Sequence, residues 1–122
     1  MSKAPHVREV AATAEGWLDL CPADVAPGEL RAFDIDGRAI LIALARGRLA
    51  AIDDQCNHSG CLLSSGWIDE QRAAVICPCH EISFELATGK NLTIPRLCDD
   101  QPTFPLKIEA GRVFIRLDGD PR

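Results

Sequence analysis

Residues 30–52 read LRAFDIDGRAILIALARGRLAAI, and the two dipeptides inside this stretch set the fold class. Leu30–Ile35 and Arg38–Leu44 flank Asp36-Gly37, a pair suited to the positive backbone φ of a tight hairpin turn. Arg46-Gly47 then marks a second turn, into Leu49–Ile52. Short apolar runs punctuated by turn residues, without a sustained 3.6-residue period, read as strands of one meander. The longest apolar run, Ala39–Ala45, spans seven residues, far below the roughly 18 needed to cross a bilayer. No membrane partner is expected.

The same grammar extends outward. Phe104, Leu106 and Ile108 alternate with polar or small residues, as do Val113, Ile115 and Leu117 beyond the turn at Ala110-Gly111, which gives a second hairpin. Upstream, Leu18–Gly28 contains Pro22 and Pro27 and reads as a connection at a sheet edge rather than a central strand. The predicted class is all-β. Between the hairpins, from residue 53 to about 97, the alternation lapses into a stretch rich in Cys, His, Gly and Ser, read as an insertion carrying function on its loops.

A chain of 122 residues, 47% hydrophobic and 25% charged, suits one globular domain with a core of its own, spanning 1–122. Its net charge is −5 and its basic residues do not cluster, so the electrostatic footprint of a nucleic-acid-binding protein is missing. Met1–His6 has no apolar stretch of signal-peptide length behind it, and the expected compartment is the cytoplasm. In that compartment six cysteines suggest metal or redox chemistry before a structural disulfide framework.

That chemistry concentrates in Cys56-Asn57-His58 and Cys77-Pro78-Cys79-His80, separated by the 18 residues Ser59 to Ile76. Each arm supplies one thiolate and one imidazole, and two adjoining loops can present two of each. Two Cys and two His also make a closed tetrahedral zinc site, although zinc fingers commonly pair Cys with Cys and His with His, whereas each arm here is mixed.

The pattern resembles the Rieske family, whose arms are Cys-x-His and Cys-x-x-His, and the likeness covers nearly the whole chain. Trp17, the Gly28 region, Ala51-Ile52, Gly60, Leu63, Gly66, Phe84, Gly89, Pro95 and Phe104–Ile108 continue the match. The resemblance implies a Rieske-type fold of antiparallel sheets with an inserted cluster-binding subdomain, approximately residues 53–97. It implies one 2Fe-2S cluster, with Cys56 and Cys77 on the buried iron and His58 and His80 on the outer iron. Cys61 and Cys79 stand where the Rieske proteins of respiratory cytochrome complexes carry a disulfide. Two unbridged thiols in a reducing compartment are the alternative, and a bridge requires Cα atoms within about 7 Å.

The resemblance also locates departures. The Ser and Tyr hydroxyls that donate to cluster sulfur in the high-potential branch would fall at Ile82 and Phe84, neither of which can donate. The expected potential is therefore low within the Rieske range, roughly −150 to 0 mV. Glu81 replaces the glycine that commonly follows the second His ligand, either as a carboxylate near the imidazoles or as a solvated loop charge. Cys21 and Cys98 read as small buried hydrophobes, His6 as an exposed bystander, and Pro95 as part of a covering segment or a plain turn.

Rieske oxygenases add a mononuclear iron held by two His and a carboxylate, but this chain has three histidines in all and two are assigned to the cluster. The implied function is a soluble one-electron carrier, not an enzyme, with a reductase and a terminal oxygenase or other redox protein as partners. The alternatives are the small redox subunit of a larger reductase, such as nitrite reductase, and a zinc-stabilised binding module.

Overall fold

The structure, a computed structural model, describes residues 16–57, 60–79, 81–93 and 99–117, together with the backbone of residues 6–7. In chain order the strands are β1 (His6–Val7), β2 (Leu18–Pro22), β3 (Leu30–Ile35), β4 (Arg38–Ala45), β5 (Arg48–Asp53), β6 (Trp67–Asp69), β7 (Ala74–Ile76), β8 (Ser83–Glu85), β9 (Thr103–Phe104), β10 (Leu106–Glu109) and β11 (Arg112–Ile115). They form a five-stranded sheet, β1-β3-β4-β5-β9, and two three-stranded sheets, β10-β11-β2 and β6-β7-β8. Among the described strands β1 alone pairs with another strand in parallel, with β3, and Pro27 makes an isolated parallel bridge to Leu44. Among the described residues a single 3₁₀ turn, Leu63–Ser65, interrupts the strands, and no helix is long and apolar enough to cross a membrane.

Three hairpins use one turn. Ile35 pairs with Arg38, Ala45 with Arg48 and Glu109 with Arg112, so each connection is two residues long. Both residues of each turn have positive φ: Asp36 and Gly37 at 53° and 83°, Arg46 and Gly47 at 53° and 77°, Ala110 and Gly111 at 51° and 75°. That backbone carries the right-handed strand twist through the bend, and glycine in the second position removes half of its steric cost.

The apolar run in β4 is explained by its place in the middle. Ile40, Leu41, Ile42 and Ala43 are all fully buried, so both faces of the strand are covered. Leu41 and Ala43 join a core with Leu63, Val75, Ile82 and Phe84 of the inserted segment, while Ile40 and Ile42 join one with Leu20, Cys21, Val113 and Ile115. The five-stranded sheet is therefore the central layer, with β6-β7-β8 on one face and β10-β11-β2 on the other. The turn between β4 and β5 also reaches the inserted sheet, where the Arg46 N–H donates to Glu70 Oε2 at 2.7 Å.

Two details differ from the sequence pattern. Leu18–Pro22 is at a sheet edge, as a proline favours, but it is a paired strand rather than a connection, ending at Pro22. The run Phe104–Ile108 is not one strand. Pro105 separates β9, which pairs with β5, from β10, which pairs with β11, so the alternation restarts in a different sheet. Phe104 is buried, but Ile108, on the edge strand β10, is 51% exposed. Cys21 is buried in the core as expected, whereas Cys98, Pro95 and the His6 side chain lie outside the described residues.

Leu41→Ala is expected to lower the unfolding free energy by about 2–5 kcal/mol, and Ile108→Ala to change it by less than about 0.5 kcal/mol. Urea unfolding followed by tryptophan fluorescence separates the two; equal losses would put Ile108 in the core.

Candidate metal centre

The first arm leaves the central sheet at the end of β5. Asp54 closes the base of its loop: the N–H of Asp54 donates to the Ala39 carbonyl, and the Asp54 carbonyl accepts from the Leu63 N–H at 2.7 Å. The Asp54 carboxylate accepts from the N–H and the hydroxyl of Ser64, each at 2.7 Å, and burial pushes this carboxyl above the usual carboxylate range. Within that frame, Cys56 N–H donates to the Cys61 carbonyl at 2.8 Å, and Gly60 N–H donates to the Cys56 carbonyl at 2.8 Å.

The second arm, between β7 and β8, repeats this pattern. Cys77 N–H donates to the Ile82 carbonyl at 2.9 Å, and Glu81 N–H donates to the Cys77 carbonyl at 2.8 Å. In each arm the cysteine donates to the carbonyl five residues on and accepts from the amide four residues on. The residue four positions on is left-handed in both, Gly60 at φ 79° and Glu81 at φ 56°. Two loops of unlike sequence thus present their cysteines from the same backbone frame.

Both cysteines are buried, Cys56 at 1% and Cys77 at 0% exposure, and neither enters a disulfide. They share one apolar cluster with Leu41, Leu63, Val75, Ile82 and Phe84. Cys61 and Cys79 form a disulfide across the two arms, with Cα atoms 6.4 Å apart. Close packing supports the clamp, since a Cβ on Gly66 would run into the Ile76 carbonyl and press on the Pro78 ring.

Of the four residues singled out in the sequence, the structure brings Cys56 and Cys77 to equivalent positions; His58 and His80 lie outside the described residues. Two buried thiols at the roots of loops joined by a disulfide fit the sulfur side of a metal centre. Ile82 and Phe84, expected to lack the donors of the high-potential branch, are both fully buried beside the cysteines. Glu81 is exposed and left-handed, so a position suited to glycine holds a charged side chain.

Asp54, Ser64, Asn57 and Gln101 escaped the sequence reading. Asn57 stands between two candidate ligands, which was the one available cue. Gln101 is 2% exposed, and nothing in an alternating pattern reveals a buried polar side chain outside a motif.

The model of the Rieske [2Fe-2S] domain family matches residues 16–105. The chain is 30% identical over 105 residues to the ferredoxin component of the naphthalene 1,2-dioxygenase/salicylate 5-hydroxylase systems of Ralstonia sp, covering 85% of this chain and 98% of that protein. It is 39% identical over 98 residues to the 3-phenylpropionate/cinnamic acid dioxygenase ferredoxin subunit of Escherichia coli strain K12, covering 80% and 90%. Among solved structures it is similar to a chain in a complex of reduced oxygenase and oxidised ferredoxin in carbazole 1,9a-dioxygenase, with a TM-score of 0.75, 26% identity and coverage of 83% and 93%.

Glu81→Gly is expected to stabilise the protein by about 0.5–1 kcal/mol, the left-handed penalty removed less the added entropy of glycine in the unfolded chain. Urea unfolding at neutral pH checks this; a loss of stability would show that the Glu81 side chain makes a contact outweighing its backbone cost.

Proposed function

Because this chain belongs to the Rieske [2Fe-2S] domain family, we propose that it is a one-electron carrier in which Cys56, His58, Cys77 and His80 hold the cluster, delivering electrons from a reductase to a terminal oxygenase. The carrying observation is the repeated hydrogen-bond frame around Cys56 and Cys77, two buried thiols on loops joined by the Cys61–Cys79 disulfide. The names of the Ralstonia and Escherichia coli relatives, both ferredoxins of dioxygenase systems, support the choice of partner.

When bound, the 2Fe-2S cluster supplies a one-electron couple, which in Rieske centres lies between about −150 and +300 mV. Cys56 and Cys77 would hold the cluster from an apolar surround, since Leu63, Val75, Ile82 and Phe84 pack in the same core. Neutral imidazoles from His58 and His80 in place of two further thiolates reduce the negative charge that an added electron meets. Ile82 and Phe84 offer sulfur no hydroxyl donor, so the reduced, more negative state loses a source of stabilisation. The reading treats residues 1–122 as a single Rieske domain with a cluster-binding subdomain at approximately 53–97, working in the cytoplasm beside its redox partners. No step in this reading requires a substrate site on the chain itself.

The deciding experiment is low-temperature EPR of the anaerobically purified, chemically reduced protein, with voltammetry on the same sample. The expected result is a rhombic signal of low average g and a midpoint between roughly −150 and 0 mV. A colourless protein that binds zinc and resists iron–sulfur reconstitution would overturn the assignment, and a midpoint well above 0 mV would overturn the role given to Ile82 and Phe84.

The net charge of −5 fits docking to a basic patch on the partner, which accelerates encounter at low salt. The second-order rate of electron delivery to the oxygenase is expected to fall as ionic strength rises from about 0.01 to 0.15 M, over which the screening length shrinks from about 30 to 8 Å. A salt-independent rate in a complex that copurifies as a unit would point instead to a fixed subunit of a larger reductase.

A further inference from the structure

The Gln101 carboxamide is buried and comes from the segment before β9, outside both ligand loops. Its Nε2 donates to the carbonyls of Asp53 and Gln55 at 2.8 and 2.7 Å. Its Oε1 accepts from the Asn57 main-chain N–H at 3.1 Å and from Asn57 Nδ2 at 2.6 Å. A primary carboxamide has two N–H donors and two acceptor lone pairs, and here all four are used. Their partners are residues 53, 55 and 57 of one continuous stretch, with Cys56 between the last two. The two carbonyls accept only from the NH₂ end, so the partners fix which way the amide points.

Asn57 carries the connection further. Its Nδ2 donates to the Asp99 carbonyl at 2.9 Å and its Oδ1 accepts from the Asp99 N–H at 3.1 Å. The segment that holds the loop is itself anchored beyond β8: Gln101 N–H donates to the Gly89 carbonyl at 2.7 Å, and Asp100 Oδ1 accepts from the Asn91 N–H at 2.9 Å. Gly89 has φ 77° and no room for a Cβ against the Gln101 carbonyl. One side chain therefore ties the first arm to the chain that follows the second arm, through contacts separate from the Cys61–Cys79 disulfide.

We propose that Gln101 is a positioning residue for the cluster: it fixes the backbone of residues 55–57, and with it the Cys56 thiolate, so that the loop neither shifts nor admits water when the electron arrives. This rests on the proposed ligation by Cys56. Gln101→Leu keeps the volume but removes the partner of the Asp53 and Gln55 carbonyls and the Asn57 N–H in a partly buried place, where each recruits water or moves to find it. Water beside the centre favours the more negative, reduced state, so the midpoint rises.

The test is voltammetry of cluster-loaded wild type, Gln101→Leu, Asn57→Ala and the double variant, with Val113→Ala as a control for lost stability in the β10-β11-β2 layer. Gln101→Leu is expected to favour reduction at least tenfold, about 59 mV upward for a one-electron couple. Asn57→Ala, which removes one of the four bonds to Gln101 and the link to Asp99, shifts it less in the same direction. The double variant falls short of the sum because the two side chains act through one network. Val113→Ala melts earlier with an unchanged midpoint. A wild-type midpoint in loaded Gln101→Leu, or an equal rise in Val113→Ala, overturns the proposal. Should Gln101→Leu fail to retain the cluster, an unchanged midpoint in Asn57→Ala overturns it as well. Absence of a Rieske EPR signal from the wild type would overturn the ligation itself, an outcome distinct from loss of the brace alone.

Discussion

Two loops of different sequence must hold one cysteine each at a fixed place and orientation, and backbone hydrogen bonds set that constraint. A thiol at the end of a single Cβ has little reach, so its position follows the main chain beneath it. The pairs Cys56 N–H to Cys61 and Gly60 N–H to Cys56, and Cys77 N–H to Ile82 and Glu81 N–H to Cys77, close both loops in the same way. Each closure requires a left-handed residue four positions after the cysteine, which Gly60 meets without a Cβ and Glu81 meets with one. The spacing of the motifs acquires its physical meaning here: the arms differ in where the histidine follows, but not in how the cysteine is seated.

A frame of this kind keeps its shape only on a rigid support. The central sheet provides one because β4 is covered on both faces, with Leu41 and Ala43 turned to the inserted segment and Ile40 and Ile42 to the opposite layer. The apolar core thus runs without a break from Leu41 through Leu63 and Phe84 to the two buried cysteines. The Arg46–Glu70 contact adds a polar tie between the β4–β5 turn and the inserted sheet. Fold and site are joined by packing as well as by chain connectivity, and a loss in the central layer reaches the thiols through a few side chains.

Much of this was legible in the residues. Asp36-Gly37, Arg46-Gly47 and Ala110-Gly111 located three two-residue hairpins because glycine in the second position has a direct backbone consequence. The cysteines were legible because mixed Cys and His arms at short spacing have few other uses. Ile108 misled, since alternation records that one face is apolar but not whether anything covers it; Pro105 sends the strand into another sheet, where Ile108 lies on an edge. The strands β6, β7 and β8 were hidden because three residues each is too short to show a period. Gln101 was hidden for a different reason: its value lies in four hydrogen bonds to three residues 44 to 48 positions away, and a buried amide has no local signature.

The arrangement separates two influences on an iron–sulfur potential that are easily confused. Geometry is constrained by the Cys61–Cys79 bridge on one side and by Gln101 with Asn57 on the other. Electronic stabilisation of a reduced cluster comes from donors to sulfur, and the buried positions that would carry hydroxyls hold Ile82 and Phe84. The bridge of the high-potential branch is thus present without that branch's hydroxyl donors. A cross-link between loops limits where the ligands can go but places no dipole toward the sulfurs, whereas a hydroxyl donor lowers the energy of the added negative charge directly. On that argument the disulfide restricts where the two cysteine loops can go, while the apolar pair at 82 and 84 offers no hydroxyl donor beside the buried cysteines.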